Sequence, residues 1–114
     1  MANDVFKSRE KGEEAKFKMA EELRFKAESR RNRLLGLWAG KKMGLDEAAR
    51  KAYAKGVVAS DFDEPGIEDV VRKIMGDFKK NDIDVSEADV RAEIARLYPV
   101  ALAEIAEEYP DALK

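Results

Sequence analysis

The chain has 114 residues, of which 45% are hydrophobic and 40% charged, and its formal net charge is -2. This length suits one domain. The composition is too apolar for a wholly disordered chain and unusually charged for a globular one, which favours a small helical protein with charged exposed faces. Neither Cys nor His occurs, which excludes disulfides, thiolate zinc sites, cysteine nucleophiles and histidine bases.

Charge is distributed unevenly along the chain. Residues 1–33 hold ten Lys and Arg against seven Asp and Glu, whereas the remainder holds twelve against seventeen. No stretch has the apolar core of a signal peptide, and none approaches the ~20 apolar residues that cross a bilayer. We therefore expect a soluble, cytoplasmic protein whose basic N-terminal end meets an acidic partner.

The beginning of the chain predicts an arm rather than part of a core. Residues 1–14 contain Val5 and Phe6 as their only sizeable apolar groups, set among charged side chains. Such a segment cannot bury enough surface to fold alone. Phe6, Arg9 and Glu10 lie at helical spacing, so the arm could become helical on a partner.

A helical period begins near Ala15. The apolar stripe along this helix consists of Met19, Leu23, Ala27, Leu34 and Trp38. Phe17 and Phe25 lie off the stripe and are candidate contact residues. The run GKKMG predicts that the helix ends near Met43. We expect Leu34, Leu35 and Trp38 to anchor the helix in the core.

Three further helices follow, so the four predicted helices span residues 15–43, 47–59, 65–80 and 87–109. Asp46 and Ser86 are suited to cap the second and fourth helices, and Pro65 is suited to the first turn of the third. Pro99 predicts a kink or a break near residue 98. The expected buried positions are Ala49, Ala52, Tyr53 and Val57, then Ile67, Val70, Val71, Ile74, Met75 and Phe78, then Val90, Ile94, Leu97, Ala101 and Ile105.

These elements predict the fold class. There is no strand-like alternation and no internal repeat. The prediction is an all-α four-helix bundle, residues 18–114, with a flexible N-terminal arm, residues 1–17, that folds on binding.

Two stretches resemble EF-hand calcium loops but miss required ligands. Residues 61–72 have Pro65 at the fifth position and Arg72 at the twelfth, where a glutamate is needed. Residues 82–93 end on Glu93 but have Glu87 in place of the sixth-position glycine. We expect no metal site, and no pair of acidic residues is set apart for catalysis, because nearly all of them fall on expected solvent faces.

Other binding chemistries have little support. Gly36, Gly40 and Gly44 lack the lysine and hydroxyl of a phosphate loop, and their spacing is more typical of close helix packing. Arg30, Arg31 and Arg33 could contact phosphates, but no aromatic residues are interleaved for base stacking. A helical adaptor protein of a larger complex, or a weak nucleotide- or nucleic-acid-binding helical module, stays open as an interpretation.

Several strings resemble one known family. They are F-K-S-R-E-K from Phe6, E-A-K-F from Glu14, E-E-L-R-F-K-A from Glu21 and A-E-S-R-R-N-R-L-L-G-L-W-A from Ala27. Together they resemble the N-terminal half of the zeta subunit of alphaproteobacterial F-type ATP synthases, a small inhibitor protein. The likeness continues through D-F-D-E-P-G at Asp61 and more loosely through the fourth helix. The run R-R-N-R-L-L-G-L-W is its most specific part.

The resemblance implies a non-enzymatic inhibitor without a cofactor. Such a protein binds the catalytic head of the synthase, made of alpha, beta and gamma subunits, and blocks ATP hydrolysis as its arm wedges between a catalytic subunit pair and the central stalk. It would be a monomer when free and peripheral to the inner membrane through the synthase, with no nucleic-acid or direct membrane contact. Lys18, Met19 and Ala20 depart from the alanine, histidine and aspartate of many relatives. Without histidine, the histidine-controlled assembly of the mitochondrial inhibitor cannot operate.

The residues implied to bind the partner lie in the arm and in the segment that follows it. Aromatic and charged side chains predominate among them, as in the anchors of many interfaces. They are Phe6, Arg9, Glu10, Lys11, Glu14, Lys16, Phe17, Glu21, Glu22, Leu23, Arg24, Phe25 and Lys26.

Overall fold

The computed structural model of the protein describes the backbone of residues 2–61 and 66–109, and the side chains of residues 20–61 and 66–109. Four helices make up this part of the chain: α1 (Ala2–Lys42), α2 (Glu47–Ser60), α3 (Glu68–Lys80) and α4 (Glu87–Glu108). No strand occurs among these residues. The predicted all-α, four-helix fold class is confirmed.

Helix α1 is much longer than the bundle that it joins. It has 41 residues and thus spans ~61 Å, whereas the 22 residues of α4 span ~33 Å. The molecule is 68 Å along its longest axis. We expected this helix from residue 15, but the structure continues it to Ala2, and its N-terminal part projects beyond the other helices as an arm.

The ends of the helices follow local chemistry. Gly44, with φ of 76°, ends α1. Its N–H donates to the Lys41 carbonyl at 3.1 Å and the Leu45 N–H to the Gly40 carbonyl at 3.0 Å, the paired bonds of a Schellman motif. The Asp46 carboxylate accepts from the Ala49 N–H at 2.8 Å, which confirms the predicted cap of α2.

The start of α3 differs from its predicted position. The helix begins at Glu68 and is preceded by Ile67, which makes no side-chain cap; Pro65, predicted in the first turn, lies outside the described residues. Gly66 has φ of 89°, a left-handed conformation that glycine adopts without steric cost. The chain therefore turns immediately before α3.

Helix α4 runs through Pro99 without a break. Ser86 caps it as predicted, accepting from the Asp89 N–H at 3.1 Å. Pro99 and Ala95, four residues earlier, are both exposed. Proline removes the hydrogen bond to the Ala95 carbonyl, and water can supply a donor on this face, so the helix continues.

The core lies between α3, α4 and the C-terminal half of α1. Val70, Val71, Ile74 and Phe78 are buried on α3. All the predicted buried positions of α4 are buried, namely Val90, Ile94, Leu97, Ala101 and Ile105. The rings of Trp38 and Phe78 meet edge to face, with centroids 5.9 Å apart. The hydrophobic period therefore identified the inner faces of α3 and α4 correctly.

The inner face of α1 is rotated from the predicted stripe. Leu35 and Ala39 are fully buried, whereas Leu34 and Trp38 are half-buried against the core. The cause is the close approach of α2. A Cβ on Gly36 would lie 2.6 Å from the Ala54 Cα, so α2 packs on the glycine-bearing face, as the glycine spacing indicated.

Helix α2 contributes a narrow strip to the interior. Ala54 and Val57 are its buried residues, and Ala52, expected inside, is exposed. The Tyr53 hydroxyl donates to Asp77 of α3 at 2.7 Å. Burial, followed by this hydrogen bond, raises the pKa of Tyr53 above its ordinary value.

Candidate partner-binding surface at the base of the arm

The predicted contact residues fall into two groups on α1. Those from Phe6 to Phe17 lie on the N-terminal part of the helix, and their side chains are outside the described ones. Those from Glu21 to Lys26 are described and lie where α1 leaves the bundle. We call residues 20–26 the arm base.

The arm base is mostly solvent-accessible. Glu21, Glu22, Arg24 and Phe25 are exposed, while Leu23 and Lys26 are half-buried. The first fully buried side chain among those described is Ala27. The exposed residues of the arm base can therefore contact another molecule without loss of the core.

An exposed aromatic pair marks this surface. Phe25 is 59% exposed and Tyr109, at the end of α4, is 44% exposed. Both rings line a groove of about 300 Å³ whose floor includes Val58 and Ile105. A large exposed apolar ring beside a groove is typical of a protein-binding site.

One charged contact joins the arm base to the end of α4, and another lies within α1. The Lys26 ammonium lies 3.8 Å from the centre of the Tyr109 ring, within the range of a cation–π interaction. Arg24 pairs with Glu28 one turn later at 4.0 Å. This exposed i,i+4 pair contributes only a few tenths of a kcal/mol, about 0.3–0.5.

Arg30 joins α1 to α4 through two carboxylates. Its Nη1 donates to Glu104 at 2.8 Å, and its Nη2 donates to both oxygens of Glu108 at 2.7 Å. The hydrogen bonds to Glu108 and then Glu104 raise the pKa of Arg30, and burial opposes them. Arg30 thus has a structural partner within the bundle.

The neighbouring arginines of the RRNR run have different surroundings. Arg31 is 7% exposed and donates to the Asn32 side-chain oxygen at 3.2 and 3.1 Å. Arg33 is exposed. The run that suggested phosphate contacts therefore places one guanidinium in an interhelical ion pair, one in the interior and one in solvent.

A buried polar cluster surrounds Arg31. Asn32 is fully buried, and Asp69 is 8% exposed and accepts from Arg72 at 3.0 Å. Burial raises the pKa of Asp61, while the nearby Asn32 amide and the charge of Arg31 oppose the increase. Asp69, in the first turn of α3, is an exception to the expectation that nearly all acidic residues face solvent, because it is buried at 8% exposure.

Comparison with known proteins decides the family. The family described as ATPase inhibitor subunit zeta matches residues 1–104. The chain belongs to this family. The match includes the arm, the arm base and the helices as far as the Glu104 end of the Arg30 ion pair.

A solved structure supports the assignment of the bundle. A protein whose structure was solved by solution NMR is 44% identical in sequence to this zeta-family chain. The similar region covers 75% of this chain and 98% of that protein, with a TM-score of 0.68. None of the curated proteins matches.

The other described surfaces of this zeta-family chain have fewer features of a binding site. A second groove, of about 630 Å³, is lined by Val71, Met75, Phe78 and Ile83 with charged residues at its rim. Residues 87–93 of the second EF-hand-like stretch are helical. In the part of the chain that the structure describes, no cluster of acidic residues could hold a metal, and no helix is long and apolar enough to cross a membrane.

Two features of the site were missed by reasoning from the sequence. Tyr109 is the last residue of the predicted fourth helix, four residues after Ile105, but no local spacing places it beside Lys26. The partners of Arg30 lie 74 and 78 residues away along the chain. An i,i+4 pair of glutamates on the same face of α4 was the available signal, but only the antiparallel packing of α1 and α4 directs it to Arg30.

Proposed function

We propose that this chain is an inhibitory subunit that binds the catalytic head of the F-type ATP synthase and blocks ATP hydrolysis through its N-terminal arm. Its membership of the ATPase inhibitor subunit zeta family supports this proposal. The observation that carries the arm mechanism is the projection of α1 beyond the bundle. The exposed Phe25 continues that surface at the arm base.

Inhibition of this kind needs no catalytic group in the inhibitor. A helix wedged between an alpha–beta subunit pair and the gamma stalk would prevent the closure that each hydrolytic cycle requires. The bundle would then stay on the outside of the head and hold the arm in position. This role places the protein at the cytoplasmic face of the inner membrane through the synthase alone.

The free arm has little to stabilise it as a helix. The arm continues α1 beyond the other helices, and most helical stability in proteins comes from packing. Binding must therefore supply the free energy that orders the arm. Aromatic anchors such as Phe6, Phe17 and Phe25, with charge-assisted contacts from Arg9 and Arg24, are suited to provide it.

The deciding experiment adds the purified chain to the F-type ATPase of its own species. We expect full-length protein to inhibit ATP hydrolysis in a saturable manner, and a chain lacking residues 1–17 to inhibit weakly or not at all. The shortened chain should keep its thermal midpoint, because the described core begins at Ala27. Unaltered hydrolysis with full-length protein, or equal inhibition by both proteins, would contradict the proposal.

Point variants separate contact from folding. We expect Phe17→Ala and Arg9→Ala to raise the concentration needed for half-maximal inhibition while the helical circular dichroism of the bundle is retained. Lys55→Gln, an exposed change on α2, is a control that also removes one positive charge. If either arm variant lost bundle helicity, its residue would belong to the fold and not to the interface.

A further inference from the structure

Side-chain hydrogen bonds join α1 to the end of α4. The Arg30 side chain is only 17% exposed; its Nη1 donates to Glu104 and its Nη2 to both oxygens of Glu108. Charge-assisted hydrogen bonds from two nitrogens of one rigid, planar guanidinium to two carboxylates are directional as well as attractive. They therefore restrain the angle between the two helices and not only their distance.

A second tie lies one helical turn closer to the arm. Lys26 precedes Arg30 by four residues, and its ammonium covers the Tyr109 ring at 3.8 Å. Two successive turns of α1 are thus held by the final turn of α4 and the residue after it. Beyond Lys26, the described residues of the arm base are exposed or half-buried.

This location matters because of how helices form. Starting a helix is unfavourable by a factor of about 10⁻³, whereas extending an existing helix is close to neutral or favourable. A helix that is already fixed as far as Lys26 can extend into the arm without that initiation step. Burial of Ala27 already holds α1 in the bundle to within one residue of Lys26, so the contacts of Lys26 and Arg30 act on the direction of the helix.

We propose that Arg30 with Glu104 and Glu108, together with Lys26 on Tyr109, forms a clasp that positions the inhibitory arm. The clasp fixes the direction in which α1 leaves the bundle and therefore the direction in which the arm extends. This inference rests on the proposed inhibitory function. Arg30 is a positioning residue: it acts through the arm and need not touch the partner.

A distance measurement tests the clasp without any ATPase assay. The chain has no Cys, so cysteines introduced at the exposed Ala20 and Ala92 can be spin-labelled selectively. From the helical rise, these labels lie about 33 Å apart along the antiparallel α1 and α4, a range that pulsed electron resonance measures well. We expect Arg30→Gln to broaden or shift this distance distribution, and a reference pair at Ala52 and Ala92 within the bundle to stay unchanged.

The same variant tests the consequence for inhibition. We expect Arg30→Gln to raise the half-inhibitory concentration about three- to tenfold while inhibition at saturation is retained. Arg96→Gln is the matched control, because it removes an exposed arginine–glutamate pair with Glu93 elsewhere on α4. It should alter neither the Ala20–Ala92 distance nor the half-inhibitory concentration.

Reversing the charges distinguishes positioning from a general loss of stability. Arg30→Glu alone should broaden the distance distribution and weaken inhibition further, and adding Glu108→Arg should recover much of both. Recovery would not occur if Arg30 itself contacted the partner. Absence of rescue, an unchanged distance in Arg30→Gln, or a broadened distance with unchanged inhibition would each overturn the proposal.

The ATPase assay and the distance measurements distinguish a failure of the proposed function from a failure of the clasp. If wild-type protein does not inhibit the ATPase, the inhibitory function fails and the positioning role falls with it. The distance measurements then still decide whether the clasp exists. An intact inhibitory function with unchanged distances overturns the clasp alone.

Discussion

The bundle and the arm base share one continuous helix but differ in what supports them. From Ala27 onward α1 has buried residues that pack on α2, α3 and α4, whereas residues 20–26 are exposed or half-buried. Phe78 and Phe25 show the contrast with the same side chain, since one is 1% exposed and the other 59%. Burial thus separates residues that determine stability from residues available for binding, even where the secondary structure does not change.

Removal of the buried ring should give the largest effect. Phe78→Ala is expected to lower the free energy of unfolding by about 3–5 kcal/mol, because it leaves a cavity against Trp38 and the core of α3 and α4. Urea denaturation monitored by circular dichroism measures the loss. Molecules that remain folded should still inhibit, since Phe78 lies away from the arm. A loss of inhibition with unchanged stability would contradict the assignment of Phe78 to stability and of the exposed arm base to binding.

Two glycines test whether close packing fixes α1 onto α2. Gly36→Ala should destabilise the bundle by about 1–2 kcal/mol, because the new Cβ would lie 2.6 Å from the backbone of Ala54. Gly76→Ala, on α3, meets nothing within 4 Å, so it should stabilise the protein by up to about 1 kcal/mol through helix propensity. Equal shifts for both glycines would show that propensity, not contact, dominates at Gly36.

The exposed ring should behave in the opposite way to the buried one. Phe25→Ala is expected to change the free energy of unfolding by less than about 0.5 kcal/mol. It should raise the half-inhibitory concentration about tenfold, as the loss of an aromatic anchor does in many interfaces. An ATPase titration beside a urea curve gives both quantities, and a large loss of stability would show that Phe25 packs against the bundle.

The smallest expected effect concerns Asp61. Burial raises the pKa of this carboxyl, so its contribution to stability is complete below the pKa of the unfolded chain and is lost as the pH rises through the higher pKa of the folded state. Asp61→Asn should therefore be slightly more stable than wild type near pH 7. The difference should disappear toward about pH 2.5, well below the ordinary Asp pKa of about 3.9, where the carboxyl is protonated in both the folded and the unfolded chain.

Thermal midpoints across this pH range measure the effect. The control is Asp84→Asn, which removes one carboxylate from an exposed position between α3 and α4. A wild-type protein that gained stability relative to Asp61→Asn as the pH rose would reverse the sign and show that Arg31 outweighs burial at Asp61.

Much of the fold could be read from local and periodic signals. The inner faces of α3 and α4 follow strict apolar spacing, and the caps at Asp46 and Ser86 depend only on residues within three positions. The strings shared with the zeta family, which matches residues 1–104, indicated the family. These features are local, so the sequence by itself determined them.

Tertiary structure decided the rest, because it depends on which helices meet. Leu35 is buried as expected, but the rotation of α1 that leaves Leu34 and Trp38 half-buried follows from the approach of α2 to Gly36. The inward turn of Asp69 and the uninterrupted passage of α4 through Pro99 depend on which faces are covered. Arg30 is fixed by glutamates 74 and 78 residues away, and no spacing along the chain specifies an ion pair that exists only after α1 and α4 have packed.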